Sequence, residues 1–110
     1  MEFEIEDGVL TYYGGPGGNV VVPESVTGIN GFAFCECEML KQITLPNGLI
    51  SIDAFAFWKC ANLSKIIMPT SATEIHNLAF ADCDSLTIHA PAESYAIQFA
   101  KENGIQYEEL

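Results

Sequence analysis

The feature that most constrains this chain is a repeat of 23 residues. Pro23, Pro46 and Pro69 stand 23 apart, and so do Cys37, Cys60 and Cys83, Leu40, Leu63 and Leu86, and Ile29, Ile52 and Ile75. Ala33, Ala56 and Ala79 keep the same step, each followed by Phe34, Phe57 or Phe80. Columns in register across three units mark a chain assembled from one supersecondary piece used repeatedly. The last unit is one residue short between Leu86 and Pro91, so Ile88 answers Ile43 and Ile66.

Each unit has a physical reading of its own. In Leu40-Lys41-Gln42-Ile43-Thr44-Leu45-Pro46 the apolar Ile43 and Leu45 alternate with polar residues, the period of a half-buried strand. Proline lacks a backbone donor, so Pro46 closes that strand. A second short extended piece is expected at 49–52, after the Pro-Asn-Gly turn, and the Ala-Phe stretch then carries the chain round to Cys60. One such unit cannot bury its apolar edge. Stacking units at the roughly 4.8 Å spacing of neighbouring strands turns the repeated Leu, Ile and Phe into continuous columns.

The pattern resembles the BspA-like leucine-rich repeats of bacterial surface and secreted proteins, over nearly the whole chain. The resemblance is carried by Ile43-Thr44-Leu45-Pro46-Asn47-Gly48-Leu49-Ile50-Ser51-Ile52, by Ala56-Phe57 and Cys60-Ala61-Asn62-Leu63, and by their counterparts one unit away. The opening Ile5-Glu6-Asp7-Gly8-Val9-Leu10 with Gly15-Pro16-Gly17-Gly18, and the closing Ala90-Pro91-Ala92-Glu93-Ser94-Tyr95-Ala96 with Ala100-Lys101-Glu102-Asn103, are similar to that family's two ends. Departures are Ala72 in the slot of Val26 and Leu49, and Leu78 in the slot of Phe32 and Phe55. The resemblance implies a mainly β repeat solenoid, a short right-handed stack of three coils of 22–23 residues with a β-hairpin cap before it and a helical cap after it. It also implies adhesion or recognition at a bacterial surface.

Open solenoid ends expose apolar edges and unpaired strand backbone, so the terminal segments must differ from the internal coils. At the front Phe3 and Ile5 alternate with acids, Asp7-Gly8 is a hairpin turn, and residues 9–13 return as its second strand, over the first coil. At the back Tyr95 and Phe99, with Ala96 and Ala100, make one apolar helical face, and Asn103-Gly104 stops the helix before a short extended finish at 105–107. The chain is therefore expected to divide into a hairpin cap and Gly-rich connector at 1–18, coils at 19–91 and a helical cap at 92–110, with the two caps and the coils expected to make one complete folding unit.

Charge narrows the partners. Of 110 residues, 15 are Asp or Glu and only 4 are Lys or Arg, a net charge of −11. Nucleic acid and anionic membrane surfaces both require a basic face, so neither is expected as a partner. No run approaches the roughly 18 apolar residues of a membrane span, so membrane insertion is not expected. Met1 is followed by Glu2, Glu4 and Glu6 where a secretory signal would be cationic. The resemblance points to the cell surface or to secretion, and this acidic start leaves the cytoplasm open.

Candidate chemistry is sparse. Cys37, Cys60 and Cys83 hold one repeat column and are expected as buried, reduced packing thiols, while Cys35, outside that column, is the more accessible one. Cys35-Glu36-Cys37 is too tight for a zinc pair, and no metal site or cofactor is expected. His76 occupies the slot of Asn30 and Asp53, residue types enriched at positive φ, and is expected to serve a turn. No nucleophile elbow or His-Glu-x-x-His motif is present, so catalysis is not expected. Gly14-Gly15-Pro16-Gly17-Gly18 lacks the Lys and the following helix of a phosphate loop and reads as a connector. Glu36, Glu38, Asp82 and Asp84 share loop positions that calcium would use, but Lys59 and Ala61 lie between them in the middle coil.

What remains is surface. The outward residues of the strands form a stripe, Val21, Thr44, Ile67 and His89, flanked by Asn19, Gln42, Lys65 and Thr87. Apolar residues on such a face mark interaction sites, and Trp58, in a slot held elsewhere by Cys35 and Ala81, is a second candidate. The expected function is a monomeric, non-enzymatic protein-binding or adhesion module. The alternatives are a calcium- or carbohydrate-dependent binding unit and a structural spacer without a ligand.

Overall fold

The structure, a computed structural model, describes residues 2–110; Met1, the first residue of the expected cap, lies outside them. Before the helix, nine strands follow one another: β1 (Phe3–Glu6), β2 (Val9–Tyr13), β3 (Gly18–Val21), β4 (Gly28–Ile29), β5 (Leu40–Thr44), β6 (Ser51–Ile52), β7 (Lys65–Ile67), β8 (Glu74–Ile75) and β9 (Thr87–Ala90). Helix α1 (Tyr95–Glu102) and strand β10 (Gln106–Glu109) complete the chain. They build two five-stranded sheets, one ordered β1-β2-β4-β6-β8 and the other β10-β9-β7-β5-β3. All pairings are parallel except β1 with β2. The result is a mainly β solenoid of about four turns where three coils were expected, because the expected stretch 19–91 lays four successive strands, β3, β5, β7 and β9, side by side in the longer-stranded sheet.

The shortened last unit keeps its register. Ile66 pairs with Ile88 and Ile67 with His89, as the one-residue deletion requires. Along each strand the alternation sorts side chains cleanly: Val20, Ile43, Ile66 and Ile88 are buried, while the residues between them are partly or fully exposed. Pro46 follows strand β5 at one residue's distance, as expected of a residue that cannot donate to the ladder.

Two ladders tie the coils along the stack. Phe34 stacks on Phe57 with centroids 4.8 Å apart, and Phe57 on Phe80 at 5.1 Å. Tyr13 of the hairpin extends the column at one end, 5.0 Å from Phe34, and Phe99 of α1 at the other, 6.2 Å from Phe80. Both ends of the stack are thus joined to the coils through the same row of rings. Offset aromatic pairs add about 0.5–1.5 kcal/mol each beyond the area they bury.

The second ladder is made of backbone amides at the corner of each coil. Phe32, Phe34 and Glu36 donate their N–H groups to the carbonyls of Phe55, Ala56 and Trp58, and Phe55, Phe57 and Lys59 donate to Leu78, Ala79 and Ala81. Aiming alternate amides along the stack while the chain turns takes left-handed residues at the first and last of each trio. Accordingly Phe32, Glu36, Phe55 and Lys59 have φ between 54° and 63°. The turn slots of Asn30, Asp53 and His76, expected to carry positive φ, do not. His76 serves its turn differently, accepting the N–H of Leu78 at Nδ1, 3.0 Å away.

The cysteine column also departs from expectation. Cys60 is buried, but Cys37 and Cys83 are only half-buried, as is Cys35. Each thiol of this column is covered by the coil on either side, and only the central one has a full coil on both. The Cys60 thiol donates to the Phe34 carbonyl at 2.9 Å and the Cys83 thiol to that of Phe57 at 2.8 Å, so both satisfy a corner carbonyl of the preceding coil.

The hairpin turns at Asp7 and Gly8, with φ of 50° and 82°, the left-handed pair of a type I′ turn, and β2 carries the sheet of short strands outward from β4. Helix α1 buries Ala96, Ile97, Phe99 and Ala100, and Gly104, at φ 68°, follows it. Beyond the helix, the extended finish expected at 105–107 forms strand β10, two residues longer at its end, which pairs along the whole of β9.

Candidate interaction surface

The stripe expected on the strands is one physical row. Val21 pairs with Thr44, Thr44 with Ile67, and Ile67 with His89. A parallel sheet in register places equivalent side chains one strand apart, roughly 4.8 Å, so the row is continuous. Beside it run Asn19, Gln42, Lys65 and Thr87, also paired in register. Val21 is 70% exposed on the edge strand, while Thr44, Ile67 and His89 are half-buried by their neighbours in the row. Gln42, Lys65 and Thr87 are half-buried as well, and Asn19 is exposed. Sequence reasoning missed the end of the row: β10 adds Glu108 next to His89 and Gln106 next to Thr87. A short extended finish was expected at 105–107, but the all-exposed Glu108 and Glu109 carry no alternation, so neither its length nor its pairing with β9 was signalled.

Lys65 stands near the centre of the flank, and β10 adds the acidic Glu108 at the end of the row. Its shape is set from beneath, since Ile43, Ile66 and Ile88 are fully enclosed and hold the backbone that presents the row.

Trp58 lies elsewhere, on the corner of the middle coil, and the structure does not bring it to the strand row. Its ring meets Phe32 and Phe55 edge-on, with centroids 6.2 and 6.1 Å away, and those two stack on each other at 5.6 Å. The indole N–H donates to Asp82 Oδ2 at 3.3 Å, and Lys59 Nζ stands 4.5 Å from the ring centroid. Trp58 is therefore held in place without being enclosed. Phe32 and Phe55 escaped notice as surface residues because they read as members of a repeat column; their position three residues before Cys35 and Trp58 was the available clue.

The remaining candidates are occupied by structural work. In the connector the Gly17 N–H donates to the Tyr13 hydroxyl at 2.8 Å and the Gly18 N–H to the Met39 carbonyl at 2.6 Å, so neither amide is presented to an anion. Among the acidic loop residues, Asp82 is engaged by Trp58. Among the described residues no three His, Cys, Asp or Glu side chains gather in a way that could hold a metal ion. Burial raises the Cys37 thiol above its ordinary pKa, and the adjoining Cys83 thiol together with burial pushes Cys60 up strongly. The same pairing of the two sulfurs draws the Cys83 thiol down. Neither Cys37 nor Cys60 has the depressed pKa of a reactive cysteine.

The sequence matches the family described as BspA type Leucine rich repeat region (6 copies) over residues 10–99. The chain belongs to this family. No curated protein and no solved structure matches it. Membership of a leucine-rich repeat family suggests a protein-interaction module. Among the described residues no helix is long and apolar enough to cross a membrane.

Proposed function

We propose that this BspA-type repeat is a non-enzymatic protein-binding module that reads its partner with the outer row of the longer-stranded sheet, in an adhesion or recognition role at a bacterial cell surface. The observation that carries the reading is the row itself: Val21, Thr44, Ile67 and His89 stand in register over a fully buried inner column. Such a row offers a rigid, pre-ordered surface, which lowers the entropy cost of association. Val21 and Ile67 supply the apolar contact, and Gln42, Lys65 and Thr87 supply polar groups along its flank.

A photo-crosslinking residue at position 44 or 67, compared with one at position 74 on the opposite sheet, tests this reading in cells of the native host. A discrete protein adduct from 44 and 67, absent from 74 and weakened by Val21→Lys, is expected. The same adduct from all three positions, or none from 44 and 67, overturns the strand face as the reading surface and leaves a structural spacer.

A further inference from the structure

We propose that the corner formed by Phe32, Phe55 and Trp58 is a second docking surface, fitted to a basic apolar segment of a protein partner. It rests on the reading of the chain as a protein-binding module but uses a different face. The three rings alone line a cleft of about 160 Å³. Phe32 is 52% exposed, Phe55 and Trp58 are half-buried, and Leu78 continues the column exposed in the next coil.

Holding phenylalanine here is costly. Phe32 and Phe55 sit at φ 63° and 61°, a region bulky side chains rarely enter and which glycine or asparagine fills with less strain. Stacking between the coils is not a sufficient reason for that strain. The inter-coil amide ladder sets the positive φ but calls for no ring there, and the buried column of Phe34, Phe57 and Phe80 already joins the same coils. Trp58 is also pre-positioned, by the Asp82 carboxylate on its indole and by the Glu36 N–H on its carbonyl at 2.6 Å.

Charge selects the occupant. The corner segments 30–38, 53–61 and 76–84 carry Glu36, Glu38, Asp53, Asp82 and Asp84 against the single Lys59, with His76 the one other titratable base. Glu36 and Asp82 flank the rings in the coils below and above Trp58. The Trp58 face already takes an ammonium group, that of Lys59, so the site attracts cations by its rings as well as by its carboxylates. A second copy of this chain, itself at −11, is repelled from such a rim. The fitting occupant is a segment with an aliphatic or aromatic side chain for the cleft and Lys or Arg beside it.

Trp58 is the only tryptophan in the chain, so its fluorescence reports the site directly. The probes are Trp-free synthetic twelve-residue peptides in which one Leu or Phe is bracketed by Lys, Arg, Glu or Ser. Saturable change in Trp58 emission with the Lys- and Arg-bracketed peptides is expected, falling about tenfold or more in affinity when Phe32→Ser and Phe55→Ser remove the apolar wall. Because those changes also remove the Phe32–Phe55 stack between coils, Glu36→Gln with Asp82→Asn serves as a second variant on the intact rings and should lose affinity in low salt. Equal binding by the Phe variants, preference for Glu brackets, or no saturable binding by any basic peptide overturns the proposal. Concentration-dependent self-association that changes Trp58 emission would assign the corner to a second copy instead. Ile67→Lys should leave peptide affinity unchanged, so failure at the corner and failure of the strand face read out separately.

Discussion

A β-carbon built on Gly17 would lie 2.5 Å from both the carbonyl carbon and the oxygen of Met39, at a φ of +81°. Gly17→Ala is therefore expected to cost on the order of 2 kcal/mol, seen as a clear drop in melting temperature. A β-carbon added at Gly48 would meet no heavy atom within 4 Å, and that residue has no positive φ, so Gly48→Ala should be neutral or slightly stabilising in the same melt. At the centre of the stack Phe57 is fully buried between Phe34 and Phe80, and Phe57→Ala should cost about 3–5 kcal/mol, a large part of the total stability of a domain this size. The thiols are ranked by the same packing. Thiol labelling of the folded protein at neutral pH should modify Cys60 last, because burial blocks it and its raised pKa keeps it protonated. Equal labelling of all four would contradict the stacking of the cysteine column. Residue by residue, the buried columns could be read from the repeat alone. The left-handed positions could not, because the inter-coil amide ladder overrides the preference of Asn, Asp and His for such turns and assigns them to Phe32 and Phe55.

Strands, hairpin and helix are legible to different degrees for physical reasons. The alternation in Leu40-Lys41-Gln42-Ile43-Thr44 and the Asp7-Gly8 turn are local signals, and the structure follows them. Strand β10 is not a local product: it pairs with β9 because α1 returns the chain beside the last coil, where the edge of β9 would otherwise be open. The outward row was visible from the alternation of Ile66, Ile67 and Met68, whereas its continuation to Glu108 depended on that late pairing. Removing residues 92–110 strips both α1 and β10 from the last coil, laying bare the Phe80 ring and the β9 backbone. Size-exclusion chromatography and a thermal melt should then find aggregated protein or a broad, uncooperative transition. A monomer with an unchanged melt would show that the tail contributes nothing to the coils.

At the scale of the whole molecule, the stack is a short rod of about 35 × 26 × 21 Å whose net charge of −11 works against its own compactness. Raising salt from low to physiological concentration should therefore raise the melting temperature by a few degrees, since it screens that repulsion while leaving the ring column and amide ladder untouched. The rod keeps one inner column closed and leaves one outer row free, and the function proposed for it requires both. Thermal melting of Ile66→Lys beside Ile67→Lys compares adjacent residues on opposite faces of one strand. Ile66→Lys should unfold the protein or lower its melt drastically, and Ile67→Lys should melt within a few degrees of the wild type. A loss at Ile67 as large as that at Ile66 would mean that the outer row is covered, and would contradict a free strand face.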